Sequence, residues 1–313
     1  MTAVIGVDLG GTNITAGVVG PDHAVGKRLK QATPVEGPEA VAGAIAELVR
    51  SLDVRTDVVG VGAPGPIRDG VVVSAPNLSG WHEPFPLRER LGALLGVDVI
   101  VDNDATAGAV GEWAAGAGRR ARNLLGVWLG TGVGGGLVLD GRPYGGSFGA
   151  AGELGHVVAR PDGALCGCGR RGCLEAYAGR ASMERVVRMR SSAGQVSALE
   201  TLAAASGRNR LTSSVWAKAY RQGDAVTTAV LDDAVAALGI AIGSVINLLD
   251  LDTVVVGGGL AEKLGQPFVD RIVRAAEPVL LVPSAPRRFV VAELGDDAGI
   301  VGAAEVARLG RGA

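Results

Sequence analysis

The sequence has little cysteine, few aromatic residues and no surplus of positive or negative charge. What it lacks argues against several classes of protein. Its 30 Lys and Arg against 32 Asp and Glu give a formal net charge of −2, so no basic excess indicates binding to a nucleic-acid backbone. The N-terminus MTAVIGVDLGGTN lacks the basic, apolar and cleavage regions of a signal peptide. The longest apolar runs contain Gly or charged residues, which we expect to interrupt them before they could span a bilayer. These absences predict a soluble cytoplasmic protein that binds neither nucleic acid nor membrane.

The three cysteines all lie in one short segment, LCGCGRRGCLE, residues 165–175. In a reducing compartment, an odd number of clustered thiols is better explained by a metal ion or by reactivity than by disulfides. With the preceding histidine they form H-x9-C-x-C-x4-C, a Cys₃His set that can bind zinc tetrahedrally and leaves no position for a catalytic water. The sequence therefore predicts a structural zinc ion bound by His156, Cys166, Cys168 and Cys173. The alternative is a set of buried thiols without a metal.

Glycine, in contrast, is abundant: the chain has 50 of them, and 48% of its residues are hydrophobic. With this composition, 313 residues can bury a substantial core, and the length favours two domains or one large one. Apolar segments separated by turn residues predict strands over AVIGVDL, ITAGVV and residues 24–31. A helix over residues 38–52 and a strand over DVVGVGAP follow, which gives the order β-β-β-α-β.

The two halves of the chain begin alike. The segment IGVDLGGTNITAGVV from Ile5 aligns with LGVWLGTGVGGGLVL from Leu125 at several Gly and Val positions. Two strand–turn–strand hairpins, each leading into an α/β layer, predict an α/β fold of two similar domains across a cleft. A chance match between abundant residue types is the alternative. We place the domain boundary near GAGRRAR, with an N-terminal domain over residues 1–117 and a larger domain over 118–297.

The rest of the second half is predicted to be mostly helical. The long apolar segment AVTTAVLDDAVAALGIAIGSVINLL predicts one helix, and a strand follows in DTVVVGGGL. Residues 268–279 predict a further helix, RRFVVAEL a last strand, and AGIVGAAEVARL a closing helix.

Two glycine-rich turns have the features of phosphate-binding loops, DLGGTN at residues 8–13 and LGTGVGGG at residues 129–136. Without a Cβ, their backbone N–H groups can approach an anion closely. Asp8 can hold Mg²⁺ beside the phosphates, and Thr12 and Thr131 add hydroxyl groups. A third turn, in VVVGGGLAE, suits the base or ribose of a nucleotide. The alternative for each turn is an ordinary glycine-rich hairpin.

Polar side chains follow the strand in VIVDNDATAG, where it enters a helix. Asp104 can accept a proton from a substrate hydroxyl while Asn103 binds neighbouring hydroxyls. A helix N-cap flanked by two acidic residues without a catalytic role explains the same residues equally well. Glu153, His156 and Glu175 add further polar groups, and together the set suits a neutral, polyhydroxylated ligand.

Eight motifs together resemble the ROK family of sugar kinases and related repressors, within the actin-like ATPase and hexokinase superfamily. They are DLGGTN, VGAPGP, APNLSGW, DNDATAGAVGE, GTGVGGG, GELGH, CGCGRRGCLE and VVVGGGL, and the likeness runs from about residue 4 to about residue 305. The resemblance implies two ribonuclease-H-like domains, with a C-terminal helix, about residues 298–313, that returns to the N-terminal domain. It also implies a homodimer or homotetramer.

The resemblance further implies transfer of the γ-phosphoryl group of Mg-ATP to a hexose hydroxyl, commonly the 6-hydroxyl, with glucose as the simplest acceptor. Asp104 would be the general base. Hexose binding is implied for Gly65, Asn77, Asn103, Asp104, Glu153, His156 and Glu175, so that His156 would serve both zinc and sugar. Phosphate, Mg²⁺ and nucleotide contacts are implied for Asp8, Gly10, Gly11, Thr12, Asn13, Thr131, Gly132, Gly257, Gly258 and Gly259.

Two positions depart from the family's pattern. Gly179 stands where the family often has Ser, and Thr106 stands in NDAT where the family often has N-D-A-N. The second change can alter a hydrogen bond on the sugar side, which leaves other acceptors open: N-acetylmannosamine, N-acetylglucosamine or a free amino sugar such as kanosamine. Polyphosphate remains an alternative donor.

Functions of other classes are also open. The repressor branch carries a helix-turn-helix domain before the first glycine turn, and since that turn begins here at Asp8 we expect none. A sugar sensor of the same family without catalysis is a further alternative. An actin-like or chaperone ATPase is disfavoured by the zinc motif and by Asp104 beside Asn103.

Overall fold

The structure is a computed structural model that describes residues 3–205 and 211–310. Within these residues the chain forms twelve β-strands and eleven α-helices. The strands are β1 (Val4–Leu9), β2 (Asn13–Val19), β3 (Val25–Ala32), β4 (Val58–Ala63), β5 (Ile67–Arg68), β6 (Val71–Val72), β7 (Asp98–Asn103), β8 (Leu124–Leu129), β9 (Val133–Leu139), β10 (Arg142–Pro143), β11 (Thr253–Gly257) and β12 (Arg288–Val291). The helices are α1 (Pro38–Ser51), α2 (Leu87–Leu95), α3 (Asp104–Ala114), α4 (Glu175–Ala178), α5 (Arg180–Ser192), α6 (Ala198–Ala205), α7 (Ser213–Arg221), α8 (Ala225–Leu249), α9 (Gly259–Leu264), α10 (Gln266–Ala276) and α11 (Ala298–Gly310).

Most of these elements match the sequence-based predictions. The order β1-β2-β3-α1-β4 is the predicted one, and α1 begins at the predicted Pro38, where proline's fixed φ suits the first turn. The predicted closing helix is α11, and its predicted residues 311–313 lie outside the described residues.

A first sheet has the strand order β3-β2-β1-β4-β7. β2 is antiparallel to β1 and β3, whereas β4 is parallel to β1 and β7. Because parallel strands end at the same edge, Asp8 at the end of β1 and Asn103 at the end of β7 come to one side of the sheet. α11 packs on this sheet so closely that a Cβ at Gly6 would overlap the carbonyl of Ile300.

A second sheet has the order β10-β9-β8-β11-β12. Numbered within each sheet, the five strands follow the same order as in the first, 3-2-1-4-5. The repeat predicted from the segments at Ile5 and Leu125 is therefore confirmed as a repeat of strand order. A mixed five-stranded sheet of this kind fits the ribonuclease-H-like arrangement that the resemblance implied.

The chain divides into two compact units. Among the described residues, the first comprises 3–126, 136–152 and 293–310, and the second comprises 127–135, 153–205 and 211–292. The domain boundaries predicted from the sequence stay predictions.

The long helix α8 corrects one sequence-based expectation. Its most apolar 18-residue window has a mean hydropathy of 1.9, so by length and composition this helix is able to cross a membrane. The expectation that every apolar run is interrupted too early is wrong here, because Asp232 and Asp233 lie in the first half of the helix and leave the rest apolar. In the structure 61% of that window is buried. Buried core helices of soluble proteins can have the same length and hydropathy.

Candidate functional site

Asn103 and Asp104 join the end of β7 to the start of α3. Asn103 is the N-cap: its Oδ1 accepts a 3.0 Å hydrogen bond from the N–H of Thr106. Its Nδ2 donates to the carbonyl of Gly65 at 3.1 Å. Asp104 is the first residue of α3, and its Oδ1 accepts from the N–H of Ala105 at 2.8 Å. The capping interpretation is therefore confirmed, and the cap itself orients Asp104 at the sheet edge.

Gly65 has a backbone conformation that only glycine adopts easily. Its φ is +88°, and a Cβ would overlap the carbonyl of Ser74. Asn77 lies nearby, with its carbonyl 3.4 Å from the Cβ position of Gly11 in the first glycine turn. Within the first unit, the structure thus places the predicted hexose-binding residues and the first predicted phosphate loop close together.

Asp8 has an unusual electrostatic setting. Burial, followed by the negative charges of Asp104 and Asp296, raises its pKa to about 6, against an opposing effect of Lys30. Its carboxylate also packs against Gly299 at the start of α11. The negative charge of Asp104 raises the pKa of Asp8, and two neighbouring carboxylates favour a cation between or beside them. This pair therefore fits the hard oxygen ligands that Mg²⁺ prefers.

The first glycine turn is fixed by its own backbone and by a neighbouring threonine. The N–H of Gly10 donates to the carbonyl of Asn13 at 3.0 Å. The hydroxyl of Thr33 donates to the carbonyl of Gly10 at 2.7 Å, and its N–H donates to that of Thr12 at 3.0 Å. The tip, Gly11 and Thr12, is exposed. A rigid turn with an exposed tip is what a phosphate loop requires.

The second glycine turn lies between β8 and β9; its residues 129–135 belong to the second unit, and Glu175 holds it. Oε2 of Glu175 accepts a 3.0 Å hydrogen bond from the N–H of Val133, and a Cβ at Gly132 would overlap the same carboxylate. The 3₁₀ turn Leu154–His156 packs beside it, since a Cβ at Gly155 would overlap the carbonyl of Val133.

The third glycine turn packs against the second. Gly258 has a φ of +89°, and a Cβ there would lie 2.5 Å from the carbonyl oxygen of Leu129. Gly257 packs against the indole of Trp128. The segments predicted to contact the phosphates and the nucleoside, residues 129–132 and 257–259, are therefore adjacent, although about 125 positions separate them in the sequence.

The four predicted zinc ligands converge. One potential ligand atom from each of His156, Cys166, Cys168 and Cys173 lies within 4.8 Å of all the others. Sγ of Cys168 and Sγ of Cys173 are 3.7 Å apart, near the edge of about 3.8 Å that a tetrahedron with 2.3 Å Zn–S bonds would have. Nδ1 of His156 lies 3.9 Å from Sγ of Cys166. The donor set and its spacing fit zinc.

The thiols differ in acidity before any metal binds. Burial raises the pKa of Cys166 to about 11, while the neighbouring Arg170 guanidinium lowers the pKa of the exposed Cys168 to about 6. Glu175 lies beside this cluster as well, with Oε1 3.9 Å from Sγ of Cys166. Glu153, which precedes the 3₁₀ turn of His156, is exposed.

The predicted residues fall into two groups, one in each unit. The first unit holds Asp8, Gly10, Gly11, Thr12, Asn13, Gly65, Asn77, Asn103 and Asp104. The second holds Thr131, Gly132, Glu153, His156, Cys166, Cys168, Cys173, Glu175, Gly257, Gly258 and Gly259.

Sequence reasoning missed two polar residues at the second glycine turn, Arg180 and Ser213. The guanidinium of Arg180 donates hydrogen bonds to the hydroxyls of Thr131 and Ser213, each at 3.2 Å. The departure from the family pattern at Gly179, directly before Arg180, was the available signal.

Comparison with known proteins gives consistent results over almost the whole chain. The sequence model of the ROK family matches residues 4–309. The glucokinase of Streptomyces coelicolor is 37% identical to this chain, over 98% of both sequences. The N-acetyl-D-glucosamine kinase of Citrobacter koseri is 34% identical, over 96% of this chain and 97% of that protein. A crystal structure of a ROK family glucokinase from Streptomyces griseus, in complex with glucose and AMPPNP, superposes with a TM-score of 0.84 at 34% identity, over 98% of this chain and 99% of that one.

Proposed function

Because this chain belongs to the ROK family, we propose that it is an ATP-dependent hexose kinase whose acceptor is glucose. The glucokinase relatives that align over nearly the full length support the reaction class. The observation in the molecule that carries the proposal is the placement of Asp104, oriented by the Asn103 cap and close enough to Asp8 to raise the pKa of Asp8.

Asp104 is the general base in this proposal. It accepts the proton of the 6-hydroxyl while that oxygen forms a bond to the γ-phosphorus of ATP. The bond between the γ-phosphorus and the oxygen bridging to the β-phosphate breaks, so that ADP leaves with that electron pair and the hexose 6-phosphate remains. Mg²⁺ supplies charge neutralisation for the phosphates when bound, and Asp8 is the residue that would hold it.

Binding roles follow the same assignment. We assign the hexose to Gly65, Asn77, Asn103 and Asp104 of the first unit and to Glu153, His156 and Glu175 of the second. We assign the donor nucleotide to the three glycine turns, with Gly10, Gly11, Thr12, Asn13, Thr131 and Gly132 at the phosphates and Gly257, Gly258 and Gly259 at the nucleoside. ATP as donor is consistent with a cytoplasmic enzyme.

A structural zinc ion completes the proposal. It would be bound by His156, Cys166, Cys168 and Cys173, whose spacing fits a tetrahedral site. Binding through Nδ1 would leave Nε2 of His156 on the far side of the ring, able to bond a sugar hydroxyl. The role of the metal is to hold His156 and the adjacent Glu175 in place.

An aminohexose kinase is the second candidate, supported by the 34% identity to an N-acetyl-D-glucosamine kinase. Carboxylates such as Glu153 and Glu175 suit a hydroxyl or an ammonium group equally, and Thr106 departs from the family pattern near the acceptor. We further propose the homodimer or homotetramer that the family resemblance implies.

The test is ADP release from Mg-ATP by the purified protein. The acceptor panel contains glucose, mannose, fructose, N-acetylmannosamine, N-acetylglucosamine and free amino hexoses, with Asp104→Asn as the control. Preference for glucose supports the glucokinase assignment, and preference for an amino sugar replaces it with the second candidate. If the folded, zinc-bound protein releases no ADP with any acceptor and forms no sugar phosphate from polyphosphate, the kinase assignment is overturned in favour of a sugar sensor.

A further inference from the structure

Arg180, the first residue of α5, is attached to the second glycine turn by both its main chain and its side chain. Its N–H donates to the carbonyl of Gly130 at 3.2 Å. Its Nη2 donates to Oγ1 of Thr131 at 3.2 Å, and its Nη1 donates to Oγ of Ser213 at 3.2 Å. A partly buried positive charge therefore lies directly at a turn proposed to bind phosphate.

Ser213 connects this charge to the third glycine turn. It is the first residue of α7, and its Oγ lies 3.0 Å from the Cβ position of Gly259. Since Gly258 packs on the backbone of Leu129, Arg180 and Ser213 lie where the second and third glycine turns meet. All of these residues belong to the second unit.

The hydrogen-bond chemistry of this cluster suits an anion. A hydroxyl that accepts a hydrogen bond from a guanidinium still has its own proton to donate to another group. Arginine has five N–H donors in a planar fork that matches phosphate oxygens. Several donors and a positive charge therefore lie at one place, from Arg180, Thr131 and Ser213. We propose that Arg180, together with the hydroxyls of Thr131 and Ser213, binds the phosphate chain of the donor nucleotide. This inference rests on the proposed function and adds two residues to its donor site.

A purely structural role explains the contacts less well. The turn is already attached to α5 by backbone hydrogen bonds from Arg180 to Gly130 and from Ala181 to Thr131, the latter at 3.0 Å. Glu175 holds the other end of the turn at Val133. Arg180 brings a positive charge as well as N–H donors to the turn, and a polyphosphate ligand binds to both.

The experiment measures the binding of each ligand separately on the full chain. The variants are Arg180→Met, Arg180→Lys and Ser213→Ala, and the matched control is Arg185→Met. Arg185 is an exposed residue of the same helix whose Nη2 donates to Oγ of Ser182 at 3.0 Å, so this control removes the same charge from α5 away from the turn. Calorimetric titration gives the Kd of Mg-AMPPNP and of glucose, and thermal unfolding gives Tm.

We expect Arg180→Met to weaken AMPPNP binding about 10- to 100-fold, the usual loss for a charge-assisted hydrogen bond. Arg180→Lys keeps the charge but not the fork, so its Kd falls between those of Arg180→Met and the wild type. Ser213→Ala weakens AMPPNP binding by a smaller factor. In all three variants glucose binding and Tm stay near the wild-type values, and Arg185→Met changes neither Kd.

Two results would overturn the inference while leaving the kinase assignment in place. One is an unchanged Kd for AMPPNP in Arg180→Met. The other is a parallel loss of AMPPNP binding, glucose binding and Tm, with no recovery in Arg180→Lys, because a structural brace gives that pattern. Absence of AMPPNP binding by the wild-type protein would overturn the inference and the proposed function together.

Discussion

Oε2 of Glu175 accepts a 3.0 Å hydrogen bond from the backbone N–H of Val133, at the end of the second glycine turn. The other carboxylate oxygen of Glu175 lies 3.9 Å from Sγ of Cys166 in the thiol cluster. One side chain therefore links the proposed zinc site to the proposed phosphate loop, and through it the metal can stabilise the loop that receives the donor.

The two proposed roles of Glu175 can be separated by two substitutions. Glu175→Gln keeps an oxygen for the N–H of Val133 but loses the charge, so we expect a higher KM for the hexose and little change for ATP. Glu175→Ala also leaves that N–H without its acceptor, and we expect the Kd for Mg-AMPPNP to rise by about 10-fold as well. Steady-state kinetics and calorimetry measure both effects. Identical profiles for the two variants would contradict the loop-holding role.

Removing the base should abolish turnover without unfolding the protein. We expect Asp104→Asn to lower kcat by about 10²- to 10⁴-fold, because the acceptor hydroxyl loses its proton acceptor. The amide keeps an oxygen for the N–H of Ala105, so Tm, zinc content and glucose binding should persist. Turnover close to wild type would remove Asp104 from the base role.

The raised pKa of Asp8 makes stability depend on pH in a defined direction. The native protein holds the Asp8 proton up to about pH 6, whereas the unfolded chain releases it near 3.9. Between these values the native state binds more protons, so this group's contribution to the free energy of unfolding falls as pH rises and is constant above pH 6.

Asp8→Asn should therefore be more stable than the wild type at pH 7.5 without added Mg²⁺, by about 1–3 kcal/mol, with the difference shrinking as the pH falls and vanishing below about pH 3. Denaturant unfolding at several pH values measures this. Asp296→Asn is the companion variant: it keeps Asp8 titratable but removes a charge that raises its pKa, so the pH dependence should move to lower pH. An Asp8→Asn variant less stable than the wild type at pH 7.5 would refute the electrostatic account.

Loss of one thiol should release the metal. We expect Cys168→Ser to reduce zinc content well below about one ion per chain, and to weaken glucose binding in parallel, because the ion holds His156 and Glu175 in place. Arg171→Ala, in the same loop, keeps all four ligands and should retain both properties. Metal analysis measures the zinc content, and calorimetry measures the Kd for glucose. Full glucose affinity in a zinc-free variant would contradict the proposal that the ion holds His156 and Glu175 in place.

Glu112 is a buried carboxylate that holds three backbone N–H groups. It accepts hydrogen bonds from Ala117, Glu293 and Leu294 at 2.8, 3.1 and 2.8 Å, and its side chain is 0% exposed. Glu112→Ala removes the acceptor of three backbone N–H groups, one in a buried and two in part-buried hydrogen bonds, so we expect the free energy of unfolding to fall by about 3 kcal/mol. Glu293→Gln changes only an exposed ion pair with Arg119 and should cost less than about 1 kcal/mol. Equal stability of the two variants would contradict this prediction.

Local patterns in the sequence determined much of the fold. The period-2 and period-3.6 segments predict β1 to β4, α1, α8 and α11, because a strand or helix needs only its own residues to show which face it buries. The helices α2, α5 and α7 were not predicted. Their sequences are short and strongly charged or mixed. Helices of this kind depend on tertiary packing, and α2 packs against α1 and β7, α5 against α8, and α7 against α9.

The sequence by itself determined the chemical types at the site: a carboxylate after an asparagine cap, three glycine turns and a Cys₃His set whose spacing along one short segment already predicts zinc. Only the tertiary structure decided which of them meet. It brought the turn at Gly258 against Leu129, raised the pKa of Asp8 by burial and by Asp104, and placed Arg180 and Ser213 at the junction of two turns. Proximity, burial and charge depend on the three-dimensional path of the chain, so residue spacing alone does not contain them.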